Sequence, residues 1–281
     1  MLMPLIDLHC HTTGSDGTFT PSEAVSLAKE LKLAALAITD HDTVEAYAEA
    51  KSAGDSLGLE IVPGIEFGTK YLGSVHILGF YIDTGNAELK EELDYIVFDR
   101  DNRNIQVIKK MQADGINCSY SEMKQRFGKV IGRPHIAQIL VEAGLAVSTR
   151  DAFDRFVGKG MKYYLPRETM SVERAISLIK NAGGTAVLAH PFEFKGNVDE
   201  LISHCISLGI DGIECRHSSH NAEQMEYLEQ LCDKAGLLKT GGSDFHGSVK
   251  PDIALGSGKG QVSVPYSWLE EIKESRLRQG L

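Results

Sequence analysis

The stretch Ile6–Gly17, IDLHCHTTGSDG, reads as a short buried strand that opens into a loop carrying two histidines and an aspartate. A strand repeats every two residues, so His9 and His11 project to one side and Cys10 to the other, into the core. Two adjacent imidazoles with Asp16 close behind make half of a metal site if other strands supply the rest. Singly, each feature is ordinary. A lone strand histidine is usually packed and hydrogen-bonded, and Asp16-Gly17 is a common turn.

Further apolar runs read as strands at Leu5–His9, Ala34–Thr39, Glu60–Ile65, Val75–Tyr81, Thr185–Ala189, Gly212–Cys215 and Leu238–Thr240. Amphipathic helices separate several of them. The first has a clear start, with Thr20 as cap, Pro21 at the first helical position and Glu23 completing a capping box. Its buried stripe is expected at Ala24, Leu27, Ala28 and Leu31. A second helix follows Asp42, which reads as its cap, and ends near Gly58. A third runs from Val172 to Asn181. This alternation predicts a parallel α/β sheet with helices outside it, in a barrel or a doubly wound sheet.

The alternation stops between the fourth and fifth strands. Asn86–Asp114 reads as one long helix with Leu89, Leu93, Ile96, Val97, Ile105, Ile108 and Met111 inward. Shorter helices follow at Tyr120–Phe127, Pro134–Ala143 and Thr149–Val157, stopped by Gly128, Gly144 and Gly158. The division expected is therefore a barrel from residues 1–84 and 166–281, with a helical insertion at 85–165 covering one end of the sheet.

Bulk properties narrow the function. The chain has 281 residues, 42% of them hydrophobic and 24% charged, a soluble globular composition. Its net charge of −10 argues against a broad nucleic-acid-binding surface, though bound cations can still admit an anionic substrate. Five scattered cysteines without a C-x-x-C pattern read as reduced thiols. No signal peptide and no membrane span are expected, which predicts a cytoplasmic protein without a membrane partner.

Nearly every strand end carries a metal-ligand type. His9, His11 and Asp16 follow the first strand, His41 the second, Glu66 the third, His190 the fifth, and Asp244 and His246 the last. His76 fits less simply, because it opens the fourth strand. In a parallel barrel the C-terminal strand ends surround one mouth. Nine nitrogen and oxygen ligands exceed one tetrahedral site and suit a cluster of two or three divalent ions, Mn²⁺, Zn²⁺ or Fe²⁺.

The set H-x-H with S-D-G, then T-D-H-D, G-x-E, V-H-x-L-G, A-H-P and G-S-D-x-H-G resembles the PHP (polymerase and histidinol phosphatase) superfamily. The resemblance implies a distorted (β/α)7 TIM-like barrel and a trinuclear centre. Its ligands carry over as His9, His11, Glu66 and Asp244 for one ion, Glu66, His76 and His190 for a second, and Asp16, His41 and His246 for a third. Asp16 and His246 are expected to serve catalysis as well. The helical insertion and Gly132-Arg133-Pro134-His135 are similar to the TrpH-type branch, which implies a 3′,5′-nucleotide bisphosphate phosphatase that also cleaves short RNA 5′→3′. The partner expected is thus a small phosphorylated molecule, a nucleotide or short RNA.

Cations supply a hydroxide near neutral pH, so phosphoester hydrolysis needs no activated Ser or Cys. Arg133, at a helix start, is the first substrate-binding candidate, with His135 beside it either helping or packing. His217 and His220 either contact phosphate, with protonation of the leaving oxygen, or sit in an ordinary loop. Lys159 and Lys162 either reach a second phosphate or remain solvated. Tyr163-Tyr164 stacks on a base or is half core. The competing functions are a phosphatase for another small phosphate such as histidinol phosphate, a non-catalytic metal- or partner-binding module, and C–N hydrolysis of the amidohydrolase type, for which similar barrels are used.

Overall fold

A computed structural model describes residues 4–128, 130–166 and 169–281. Its strands are β1 (Leu5–Asp7), β2 (Ala35–Ile38), β3 (Glu60–Tyr71), β4 (Gly73–Phe80), β5 (Met170–Ser171), β6 (Thr185–Leu188), β7 (Gly212–His217), β8 (Leu238–Gly242) and β9 (Val264–Pro265). The helices are α1 (Pro21–Glu30), α2 (Tyr47–Leu57), α3 (Ala87–Ala113), α4 (Tyr120–Phe127), α5 (Arg133–Glu142), α6 (Thr149–Ala152), α7 (Val172–Asn181), α8 (Val198–Ser207), α9 (Ala222–Ala235) and α10 (Tyr266–Arg278). The sheet runs β8-β7-β6-β4-β3-β2-β1-β9, with β5 on β3. Hydrogen bonds from Leu8 N to Gly241 O and from Asp244 N to His9 O bring β8 back to the chain leaving β1. This leaves a nearly closed barrel, one of the two arrangements that the strand alternation allowed and the distorted TIM-like fold that the resemblance implied. A Cβ at Gly242 would meet His9 N at 2.4 Å, so that closure requires glycine.

The sheet is not wholly parallel. β4 runs antiparallel to both β3 and β6, and β9 antiparallel to β1. That reversal resolves His76. The start of β4 lies at the same barrel end as the finish of its neighbours, opposite Gly68 of β3.

Helix signals are mostly realised. Thr20, Pro21 and Glu23 form the capping box of α1. Its buried face is Pro21, Ala24, Val25 and Ala28, whereas Leu31 is exposed, being the C-cap beyond the last turn. Asp42 does not cap α2, which begins later with Ala46 as N-cap and no side-chain cap bond. Asp42 instead accepts from Gly68 N and pairs with Arg100. The last short helix ends in a π-helical turn, Phe153–Val157.

Two cores result. The barrel core includes Leu89 and Leu93 from the first turns of α3. A separate core, with Val107, Ile108 and Met111 from the end of α3, joins Ile131, Ile136, Leu140 and Val157. Between them the inward stripe of α3 is Arg100 and Asn104. Ile105, expected inward, is exposed, because the stripe at three- and four-residue spacing passes through polar side chains there. No helix among the described residues is long and apolar enough to cross a membrane.

Candidate metal centre

β1 continues as extended chain to His11, held by Thr39 N to Cys10 O and His11 N to Phe245 O. Asp7, His9 and His11 share the inner face and are fully buried, while Cys10 packs outward with α1 residues. Burial pushes the Cys10 thiol well up, which leaves it an inert core residue.

Glu66, on β3, is the hub. Its Oε1 lies 2.8 Å from His76 Nδ1 and 3.0 Å from His190 Nε2. Its Oε2 lies 2.9 Å from His41 Nδ1, 3.2 Å from His11 Nε2 and 3.5 Å from His9 Nε2. His9 Nε2 and His11 Nε2 are 3.1 Å apart, and Asp244 Oδ1 is 3.6 and 3.3 Å from them. His246 Nε2 lies 3.3 Å from Asp16 Oδ1, and its ring stacks on His11. All nine sequence-predicted ligands thus meet at one barrel end. Their donor atoms include groups within 4.8 Å of one another: His11, Asp16, His41 and His246; His9, Glu66 and His190; His9, His11 and Asp244; His41, Glu66 and His76.

The chemistry of this donor set fits divalent cations. Glu66 Oε2 is buried without a hydrogen-bond partner, and imidazole nitrogens face one another where at most one could carry the proton between them. His246 donates Nδ1–H to Asp244 O at 2.9 Å, which leaves its Nε2 lone pair toward Asp16. Backbone strain marks the same place, for His190 and Asp244 have φ of 23° and 58° without being glycine.

Electrostatics follow from the crowding. Burial opposes ionisation of Glu66, yet His41, His76 and His9 outweigh it and hold the carboxyl well below its usual range. Burial likewise opposes the charged Asp244, and Lys250 and His246 reverse it. Burial lowers His41, but Glu66 and Asp16 carry it up to about 9. Burial, with His246 and His41 nearby, keeps His11 low.

The substrate-binding candidates divide. His217 is buried, with Nε2 3.5 Å from Asp244 Oδ2 and no hydrogen-bond partner on that atom. His220, also buried, donates Nδ1–H to Cys215 O, and burial pushes it down to about 4. His135 is buried against Phe127, accepts the Gly132 N–H at Nδ1 at 2.9 Å, and lines a cleft with Ser15. Arg133 starts α5 with its guanidinium over Phe153 and Tyr164. Lys159 is exposed. Lys162 is not brought to the mouth: it pairs with Asp114 at the end of α3, and Tyr163 is core, bonded to the same carboxylate.

Sequence reasoning passed over three residues. Lys250 Nζ lies 2.5 Å from Asp244 Oδ2. Asp40 accepts from Thr12 N, Thr12 Oγ1 and Ser15 Oγ, which holds the loop before Asp16. Glu214 is wholly buried beside His9, and although burial opposes its charge, His9 and His217 bring it down to about 2. Its signal was present, since Gly212-Ile213-Glu214 repeats the Gly64-Ile65-Glu66 tripeptide in a second strand.

Comparison with known proteins agrees with this geometry. Residues 7–140 match the PHP domain family. The chain is 34% identical to the 5′-3′ exoribonuclease Rnm of Escherichia coli over 90% of its own length and 88% of the relative's. It is also 34% identical to a 3′,5′-nucleoside bisphosphate phosphatase of Chromobacterium violaceum, covering 87% and 88%. A crystal structure from Bifidobacterium adolescentis, assigned as a metal-dependent phosphoesterase, superposes with a TM-score of 0.86 at 34% identity over 96% of each chain. With ligand types at nearly every principal strand end and likeness over nearly its whole length, this chain belongs to the PHP domain family and is a metal-dependent phosphoesterase.

Proposed function

We propose that the enzyme removes the 3′-phosphate from a 3′,5′-nucleotide bisphosphate and cleaves short RNA from its 5′ end. The observation that carries the reading is the Glu66 hub, five imidazoles around one buried carboxylate, in a chain whose full-length relatives bear those two activities in their names.

Three ions, Mn²⁺, Zn²⁺ or Fe²⁺, are assigned to His9, His11, Glu66 and Asp244; to Glu66, His76 and His190; and to Asp16, His41 and His246. When bound, they lower the pKa of water and neutralise phosphoryl charge. The chain's own residues do the rest. Lys250, tethered to Asp244, offers a cation to a phosphoryl oxygen at the rim. His217 Nε2 is placed to hold a proton for the leaving oxygen. Segment 85–165 is read as a cap over the mouth, supported by the Arg100–Asp42 pair and by the cleft that His135 and Ser15 line together. Arg133, at the start of α5, is assigned to the second phosphate.

The test is phosphate release from 3′-phosphoadenosine 5′-phosphate by Mn²⁺-loaded protein beside an Asp244→Asn variant. AMP from the wild type and none from the variant supports the reading. A wild type that binds ions but leaves the bisphosphate untouched refutes the substrate assignment and directs the search to other small phosphates.

A further inference from the structure

We propose that Glu214 is a positioning residue: it fixes the tautomer of His9 and ties His9 to His190, ligands of two different ions. The inference rests on the metal-ligand reading above, not on the substrate. Glu214 Oε1 lies 2.9 Å from His9 Nδ1, and Oε2 lies 2.8 Å from the backbone N of His190. Both His9 and Glu214 are fully buried, so no solvent competes for either contact.

An ionised carboxylate only accepts hydrogen bonds. His9 Nδ1 must therefore carry the proton. That leaves the Nε2 lone pair facing His11 Nε2, Glu66 Oε2 and Asp244 Oδ1, at 3.1, 3.5 and 3.6 Å. The second oxygen grips the N–H of a residue whose φ is 23°, a conformation that persists only where its surroundings impose it. The ring of that residue reaches Glu66 Oε1. One carboxylate on β7 thus governs the direction of one ligand and the backbone of another.

His9, Glu214 and His217 also form a donor group by distance alone. A direct ligand role for Glu214 there would need a lone pair on His9 Nδ1. The proton would then move to Nε2 and spoil the larger cluster, so the orienting role is the consistent one.

Glu214→Gln separates the two. The His190 N–H can only donate, so the glutamine carbonyl must face it and the amide NH₂ must face His9 Nδ1. Nδ1 then becomes an acceptor and the proton moves to Nε2. The measurement is the His9 tautomer of metal-free protein, taken at a pH where the ring is neutral, by long-range ¹H–¹⁵N NMR, together with Zn²⁺ titration by calorimetry. The wild type is expected as the Nδ1–H form. In Glu214→Gln the Nε2–H form is expected, with Zn²⁺ bound about 10–100-fold more weakly. Glu214→Asp, which keeps the acceptor, should retain the Nδ1–H form and bind Zn²⁺ more tightly than Glu214→Gln. It also serves if the glutamine variant does not fold. Unchanged tautomer and affinity in Glu214→Gln overturn the proposal. Loss of one ion with the tautomer unchanged makes Glu214 a ligand and overturns it too. A wild type that takes up no Zn²⁺ overturns the metal reading along with it, whereas failure on nucleotide substrates leaves it standing.

Discussion

At the barrel mouth the polar side chains are inside, while in the helical segment they are almost all outside. His9, His11, Glu66 and Glu214 are at most 1% exposed and are held chiefly by one another. The core of the helical segment is apolar, from Val107 and Met111 to Ile131 and Leu140. Among the described residues, its basic side chains other than Arg100 lie on the surface or pair there, as Arg126 does with Glu142 and Lys162 with Asp114. The mouth is built for chemistry, and strained backbone at His190 and Asp244 sits within it. The segment is ordinary packing, and it meets the barrel through Leu89 and Leu93 in the first turns of α3 and through Arg100 in the middle.

The contrast breaks most directly at its centre. Glu66→Gln removes the carboxylate shared by both faces of the cluster, and phosphoesterase kcat/KM should fall by at least about 10²–10³-fold. Near-normal turnover would show that the buried histidines act without their hub. Arg100→Ala removes the cation paired with buried Asp42 beside His41, a change expected to cost roughly 3–5 kcal/mol in a denaturant titration. The double change Arg100→Met with Asp42→Asn should recover much of that loss.

Met111→Ala tests whether the two cores are separate. It should destabilise by about 2–5 kcal/mol, with the segment melting first and the Zn²⁺ titration of the mouth unchanged. A single shared transition, with metal uptake lost in step, would erase the distinction. His220 offers a pH test. Its folded pKa of about 4 lies below the ordinary 6.5, so the unfolded chain takes up the proton first. The stability that neutral His220 provides is complete above 6.5 and disappears as pH falls toward 4. The swing is at most roughly 3 kcal/mol, and His220→Gln should flatten that part of the stability–pH curve of metal-free protein. The smallest effect is reserved for Lys162→Ala. Its solvent-screened pair with Asp114 should leave the unfolding midpoint almost unchanged, and KM for a bisphosphate should not move. A several-fold rise would return this loop to the substrate.

Legibility in the sequence followed the same division. Ligand types at strand ends revealed the mouth, because a chain rarely places His, Asp and Glu there for packing. The seven principal strands were readable from their apolar runs. The two-residue strands β5 and β9 were not, since pairing alone defines them. The direction of β4 was hidden, because a hairpin between Tyr71 and Gly73 leaves no mark stronger than an ordinary turn. In the segment, glycines located the helix ends, but hydropathy put Ile105 inward and passed over Arg100 and Asn104. A buried arginine is paired by tertiary contact, and that partner, Asp42, lies 58 residues away. Glu214 was missed for a related reason. A carboxylate that orients a ligand needs no motif of its own, only a place in an inward-facing register.

α3 has 27 residues and neither glycine nor proline. At 1.5 Å per residue it is a rod about 40 Å long. Its first turns are embedded in one core and its last in the other, with the Arg100–Asp42 contact near midspan. The segment cannot reach toward the mouth by local bending of such a rod. Relative motion is a rotation of the whole beam, and leverage sets its scale: a turn of about 5° at Asn86 carries the far end roughly 3.5 Å. The midspan ion pair, about halfway along that lever, moves about half as far, so the Arg100–Asp42 contact limits how large a turn the beam can make.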